Sequence, residues 1–129
     1  MKFDGLIDVL TQIPQVQIAI LFGSASQDRM RPESDIDIAI AEEKLMSIER
    51  RIELNGILSP CIHKDVDLVD LRSAHGLLLS EILTKGTPLI IRDRNLYFNL
   101  IKENVYFNQD YLPLIKRCLE KRNRRFIFG

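Results

Sequence analysis

The stretch LFGSASQDRMRPESDIDIAI, residues 21–40, decides the fold. It opens at the end of an apolar, β-rich run over residues 16–22, and that run stops at Gly23-Ser24. It closes in DIDIAIA (35–41), which alternates strictly between acidic or small residues on one side and isoleucines on the other. This pattern predicts two strands joined by a polar loop over residues 25–34.

The same kind of alternation predicts where three carboxylate side chains lie on the strands. Asp35 and Asp37 lie two residues apart on one predicted strand, so both project from one face, about 7 Å apart at Cα. A third strand is predicted for HKDVDLVDL (63–71), with Asp67 on one face and Asp65 beside it as an open alternative. Like charges raise each other's pKa, and divalent cations relieve that repulsion. Oxygen ligands favour Mg²⁺ or Mn²⁺, so we expect two metal ions here for phosphoryl or nucleotidyl transfer.

The Gly-Ser pair suits the same chemistry. Gly23 follows a strand and lets backbone N–H groups approach a phosphate closely, while Ser24 adds a hydroxyl donor. Taken alone, the pair is more simply explained as a turn. Joined to Asp35 and Asp37 at this spacing, it indicates a nucleotide site.

The remaining chain alternates predicted helices with one short strand. Helices are expected over 3–13 and 42–58, and the second of these is expected to turn Leu45, Ile48, Ile52 and also Met46 inward. Ser73 is expected to cap a helix over 74–85, and a short strand follows at 89–92. Residues 94–123 are predicted to be helical, with a break near 108–112 because of Pro113.

Composition limits the class of protein. A chain of 129 residues predicts one domain, and its 46% hydrophobic and 28% charged residues are typical of globular proteins. Eighteen basic residues balance eighteen acidic ones, which argues against direct nucleic-acid binding as the main activity. Two lone cysteines, Cys61 and Cys118, suit a reducing cytosol. No signal peptide or membrane-length apolar run is present, so we expect a soluble cytoplasmic protein without membrane association.

The spacing G-S-x10-D-x-D, followed by Asp67 on a later strand, resembles the DNA polymerase β-type nucleotidyltransferase superfamily. It is most similar to the minimal nucleotidyltransferase (MNT) branch, over roughly residues 1–92. The resemblance implies an α/β (α+β) fold with a small mixed sheet flanked by helices. We expect a nucleotidyltransferase core over 1–92 and a helical C-terminal extension of the same domain over 93–129.

The resemblance also implies roles for the candidate residues. Gly23 and Ser24 should hold the triphosphate of ATP, Asp35 and Asp37 should bind two Mg²⁺ ions, and Asp67 should bind the ion beside the acceptor hydroxyl. Proteins of this branch often act as antitoxins that transfer AMP to a tyrosine of a HEPN-domain ribonuclease toxin. The chain departs from many relatives at residues 26–28, where Ser-Gln-Asp replaces a small residue, a basic residue and a glycine.

Two other functions stay open. The chain could neutralise a toxin by stoichiometric binding with a vestigial nucleotide site. It could also transfer nucleotides to a small molecule such as an aminoglycoside, although about 37 residues beyond the core leave little room for a substrate domain. The basic segment 116–125, with six basic residues and one acidic residue, is either a solvated helix end or a contact for an acidic toxin surface or RNA.

Overall fold

Four strands form one mixed sheet in the computed structural model, which describes residues 3–23 and 35–128. The strands are β1 (Ile18–Phe22), β2 (Ile36–Ala41), β3 (Val66–Asp70) and β4 (Thr87–Ile91). Their order is β3-β2-β1-β4; β2 and β3 are parallel, and β1 pairs antiparallel with β2 and with β4. The sheet confirms the predicted fold class, while the predicted loop at 25–34 lies outside the described residues.

Helices connect the strands and extend the chain beyond them. They are α1 (Asp4–Thr11), α2 (Ile48–Ile62), α3 (Gly76–Lys85), α4 (Arg94–Tyr106) and α5 (Leu112–Phe128), with a 3₁₀ turn at Leu71–Ser73 and a π-helical turn at Phe107–Tyr111. The π-helical turn falls where the sequence predicts a break. The backbone there changes its hydrogen-bonding pattern and continues as helix, so Pro113 lies in the first turn of α5.

The two faces of the sheet are covered by different helices. On one face the β2 isoleucines pack against Leu6, Leu10, Leu54 and Leu58 of α1 and α2. On the other face, Ala39 and the β1 isoleucines pack against side chains of α3 and α4. Strand alternation puts Asp37 on the same side as Ala39, so the acidic residues share the face that α3 and α4 cover.

The start and the inner face of α2 differ from the sequence prediction. Residues 42–47 do not form helix; α2 begins at Ile48, because the Ser47 hydroxyl accepts a hydrogen bond from the backbone N–H of Arg50 at 3.1 Å and caps it. The prediction that Leu45, Ile48 and Ile52 face inward is wrong, since they are 62%, 73% and 66% exposed. Met46 does pack against the core, as predicted.

The predicted cap of α3 is also wrong. Ser73 belongs to the preceding 3₁₀ turn, and α3 begins at Gly76 without a side-chain cap. Asp70 caps the 3₁₀ turn instead, because its carboxylate accepts the backbone N–H of Arg72 at 3.1 Å. The strand predicted at 89–92 starts two residues earlier and includes Pro88, which the edge position of β4 tolerates.

Candidate active site

Two aspartates meet where β2 and β3 run side by side. In the parallel register, Asp37 of β2 is paired with Asp67 of β3, and Asp37 is also paired with Phe22 of β1. The two carboxyl groups lie close enough for charge and hydrogen bonding between them to raise the pKa of Asp37. The prediction that Asp37 and Asp67 lie together is thus met by the strand register, although they are thirty residues apart in the sequence.

The backbone of Gly23 lies against the Asp37 carboxylate and forms part of this site. Its φ is +70°, a conformation that other residues adopt only with strain. A Cβ atom added at this position would overlap Oδ2 of Asp37. Glycine is therefore required both by the turn after β1 and by the closeness of the chain to the Asp37 carboxylate. Ser24, predicted to bind the same phosphates, lies outside the described residues.

The environment of Asp37 favours its protonated form. Burial, as the largest cause, and the charge and hydrogen bonding of the neighbouring Asp67 carboxylate together raise the pKa of Asp37 from 3.8 to about 6. Smaller contributions come from Asp35 and from Glu81 of α3. Among the described residues, no cation forms an ion pair with Asp37 or Asp67. The site thus concentrates negative charge that the described part of the chain does not neutralise.

This donor set fits a divalent cation of the Mg²⁺ type. Its ligands are carboxylate oxygens, and positive charge between Asp37 and Asp67 would remove the repulsion that raises the Asp37 pKa. Within 3–23 and 35–128, no three histidine, cysteine or acidic side chains are placed to hold a metal ion together. Mg²⁺ commonly uses one or two carboxylates and takes its other ligands from water and substrate phosphates, so a carboxylate pair suffices.

The other predicted acidic residues lie at the margin of the pair. Asp35 is exposed immediately before β2 and acts on Asp37 through its charge alone. Asp65 precedes β3 and is also exposed; its backbone carbonyl accepts the N–H of Ile36 at 3.0 Å. Asp65 is not among the groups that shift the pKa of Asp37. The geometry therefore favours Asp67 over Asp65 as the partner of Asp37.

Glu81 is the residue near the site that sequence reasoning missed. It lies on α3, between Leu79 and Ile82, which are buried against the sheet. In the sequence it is indistinguishable from a solvated helix residue, because the contact depends on how α3 crosses the sheet. Neither histidine is among the groups that act on Asp37. Nδ1 of the exposed His75 lies 3.0 Å from Oε2 of Glu103, and His63 ends α2 with a φ of 53°.

The comparisons with known proteins agree with this geometry. Residues 4–95 match the family described as polymerase beta, nucleotidyltransferase. The chain belongs to this family. Across its described residues, no helix combines the length and apolar character needed to cross a membrane.

Individual relatives lie close in both sequence and structure. The chain is 43% identical over 77 residues to a protein adenylyltransferase, MntA, of Shewanella oneidensis; the match covers 60% of this chain and 55% of that protein, so it spans about half of the relative's length. A toxin–antitoxin structure with AMP-PNP aligns at a TM-score of 0.76 and 30% identity, covering 94% of this chain and 98% of the other. A complex of tri-AMPylated Shewanella oneidensis HEPN toxin with MNT antitoxin aligns at 0.70 and 28%, covering 93% and 94%.

Proposed function

We propose that this chain is a Mg²⁺-dependent protein adenylyltransferase that acts as an antitoxin in the cytoplasm. It transfers AMP from ATP to a tyrosine hydroxyl of a cognate HEPN-type ribonuclease toxin and thereby neutralises the toxin. Residues 1–92 carry the transfer, and residues 93–129 form a helical extension of the same domain.

One observation carries the proposal: the parallel register that places Asp37 beside Asp67, with the Gly23 backbone against Asp37. Nucleotidyl transfer needs negative oxygens that hold divalent cations and a backbone segment free of side chains where the triphosphate approaches. A structural pair of carboxylates would be matched to arginine, lysine or backbone N–H groups. Asp37 and Asp67 instead face each other.

In this proposal each residue has a separate task. Asp35 and Asp37 would hold two Mg²⁺ ions, Asp67 would hold the ion that activates the acceptor hydroxyl, and Gly23 and Ser24 would bind the triphosphate. When bound, Mg²⁺ neutralises phosphate charge and lowers the pKa of a coordinated hydroxyl. Asp37 binds the ion in its ionised form, so its raised pKa predicts that Mg²⁺ binding to the free protein weakens as the pH drops through about 6.

The reaction balances without another cofactor. The tyrosine oxygen forms a bond to the α-phosphorus of ATP, and the bond between that phosphorus and the pyrophosphate oxygen breaks. The hydroxyl proton is lost to solvent, and pyrophosphate leaves. Orientation of the two oxygens in line at phosphorus is the main contribution of the protein.

The relatives support the substrate and the partner. The S. oneidensis protein is a protein adenylyltransferase, and the similar solved chains are complexes of an antitoxin with its toxin. One of those structures contains an ATP analogue, and another contains a toxin modified with AMP. These are properties of the relatives, and they favour the same reaction and partner class for this chain.

The test is the intact mass of a candidate HEPN-type toxin after co-expression with this chain. Wild-type protein should add one or more AMP groups, Asp37→Asn should add none, and the exposed α1 variant Asp8→Asn should behave as wild type. No mass increase with any of the three would contradict the proposal. An unchanged increase with Asp37→Asn would remove Asp37 from the site.

Stoichiometric binding is the second candidate, favoured by the exposed apolar side chains of α5. Leu114 and Leu119 are 54% and 52% exposed there. Growth of cells that express the toxin separates the two functions. A chain that acts by binding alone should rescue growth with Asp37→Asn as well as without it, whereas an adenylyltransferase should lose rescue.

A further inference from the structure

Helix α5 has an apolar side that its own domain leaves uncovered. At 100° per residue, Leu112, Ile115 and Leu119 fall on one side of the helix, and Leu114 points away from them. Leu119 is more than half exposed on this side, although burying a leucine side chain is favourable. Among the described elements, α5 packs mainly against the π-helical turn that precedes it.

The base of α5 is held firmly to the domain. The Phe107 ring lies over Gly76 of α3, where an added Cβ would be 3.7 Å from the ring. Ser80 of α3 donates a hydrogen bond to Oδ1 of Asn108 at 3.4 Å, and the ring of Phe107 stacks on that of Tyr111. These contacts fix the π-helical turn, so α5 is presented from a defined position on α3 and α4.

The helical segment that precedes α5 also exposes large apolar side chains. Four large side chains of α4 and the π-helical turn are between 44% and 60% exposed: Phe98, Val105, Tyr106 and Tyr111. Aromatic side chains of this kind dominate the binding energy of protein interfaces. The underlying helix α4 packs its Leu100 onto the sheet face that carries Asp37 and Asp67. The apolar surface therefore belongs to the helical layer on the same face as the candidate active site.

The charged residues around the apolar side of α5 indicate which kind of partner surface it could bind. Lys116 and Arg122 border the apolar side of α5, and both are exposed. Segment 116–125 holds six basic residues and one acidic residue, in a chain whose total charge is zero. A complementary surface would place leucine-sized apolar groups at its centre and carboxylates at its rim.

We propose that α5 and the π-helical turn form the docking surface for the HEPN-type toxin, through an apolar patch of the toxin that is rimmed by acidic side chains. The inference rests on the proposed function, because it concerns the acceptor of that same reaction. RNA is the less suitable occupant, since phosphate contacts use the basic residues and leave Leu119 exposed.

Binding of the purified toxin, measured by calorimetry without ATP, tests the proposal. Ile115→Ser with Leu119→Ser, and separately Lys116→Glu with Arg122→Glu, should each weaken binding by at least about tenfold. The matched control is Ile48→Ser with Ile52→Ser, because those side chains are even more exposed but lie on α2, on the opposite side of the sheet. The control should stay close to the wild-type affinity.

The outcomes separate this proposal from the proposed function. If wild-type chain neither binds nor modifies the toxin, both proposals fail. If wild-type chain modifies it and both α5 variants bind it as tightly as wild type, the docking surface is wrong while the transfer reaction stands. Loss of affinity for a single-stranded RNA in the charge-reversal variant, with toxin binding unchanged, would also overturn the docking proposal.

Discussion

Carboxylate side chains lie at both ends of the parallel strand pair β2–β3, but their surroundings differ at the two ends. Near the start of the strands, Asp37 and Asp67 face each other, and the pKa of Asp37 is raised. Just past the end of β2, Glu42 lies almost fully buried, and Asp70 ends β3 with equal burial. Both of these latter carboxylates have strong partners.

The partners at the far end come from the loop and helix that join the strands and from the turn that follows β3. Arg50 of α2 donates two hydrogen bonds to the Glu42 carboxylate, at 3.0 Å through Nε and at 2.7 Å through Nη2. Asp70 accepts the backbone N–H of Met46 at 2.8 Å through one oxygen and that of Arg72 through the other. Every carboxylate oxygen there is satisfied, as the cost of burying charge requires.

The contrast shows how to separate a structural carboxylate from a functional one in this fold. Burial alone does not decide, because Glu42 and Asp70 are more buried than Asp37. The partners decide: the structural pair is matched to guanidinium and N–H donors, whereas the candidate site places one carboxylate against another. Such a site lowers the stability of the fold when no cation is present, and the binding of a cation raises that stability.

The largest expected effect is on transfer. Asp67→Asn should reduce the rate of AMP transfer by about 100-fold or more, because it removes one of the two facing carboxylates. Asp65→Asn, two residues earlier and exposed, should stay within a few-fold of wild type. Initial rates of transfer from radiolabelled ATP to the toxin provide the measurement. The reverse order of effects would assign the role to Asp65.

Substitutions at the far end of the strand pair, where Glu42 lies, should change the stability of the fold. Arg50→Leu leaves the Glu42 carboxylate buried without its cation and should lower the free energy of unfolding by about 3 kcal/mol. Glu53→Gln removes only the exposed partner of Arg50, at 2.9 Å, and should cost less than about 1 kcal/mol. Urea unfolding measures both. Equal losses in the two variants would contradict the structural role of the Glu42–Arg50 pair.

Glycine substitutions distinguish the site from the rest of the fold. Gly23→Ala should destabilise by about 1–2 kcal/mol, because of its positive φ, and should impair transfer by displacing Asp37. Gly56→Ala lies within α2 with open space around it and should stabilise by about 0.5–1 kcal/mol. Urea unfolding and transfer rates measure the pair. Full activity in Gly23→Ala would contradict the close approach to Asp37.

The smallest effect is a pH-dependent change in melting temperature. The pKa of Asp37 is about 6 in the fold and 3.8 as its ordinary value, so the fold binds this proton more tightly than the unfolded chain. Stability is therefore lost as the pH rises from 4 through 6. Asp37→Asn should raise Tm by a few degrees at pH 8 and by much less at pH 4. An identical change at both values would rule out this linkage.

Sequence patterns predict the strands of this chain well because strand alternation depends on local residues. The isoleucines of DIDIAIA mark the buried face of β2, and the same alternation places Asp37 on the opposite face. The pairing of Asp37 with Asp67 follows once β2 and β3 are neighbours, a feature that the family resemblance supplies. The roles of Asp35, Asp37, Asp67, Gly23 and Ser24 stay predictions until they are tested.

Helix orientation could not be predicted in the same way. Helix α2 carries Ile48 and Ile52 on one side and Leu54 and Leu58 on another, and periodicity gives no reason to prefer either for the core. The choice is made by contacts from distant residues, such as the donation by Arg51 to the backbone carbonyl of Leu68 at 3.1 Å. Glu81 was missed for a similar reason, because its closeness to Asp37 depends on how α3 crosses the sheet.

The parallel pairing of β2 with β3 also determines the stage of folding at which the candidate active site is assembled. Asp37 and Asp67 are thirty residues apart, and all of α2 must fold between them before they meet. Pairings of this kind form late in folding because the chain loses loop entropy before it gains contacts. Since β3 is an edge strand, its detachment alone would separate the two aspartates while β1, β2 and β4 stay paired. Adenylyl transfer should therefore disappear at a lower denaturant concentration than the sheet itself.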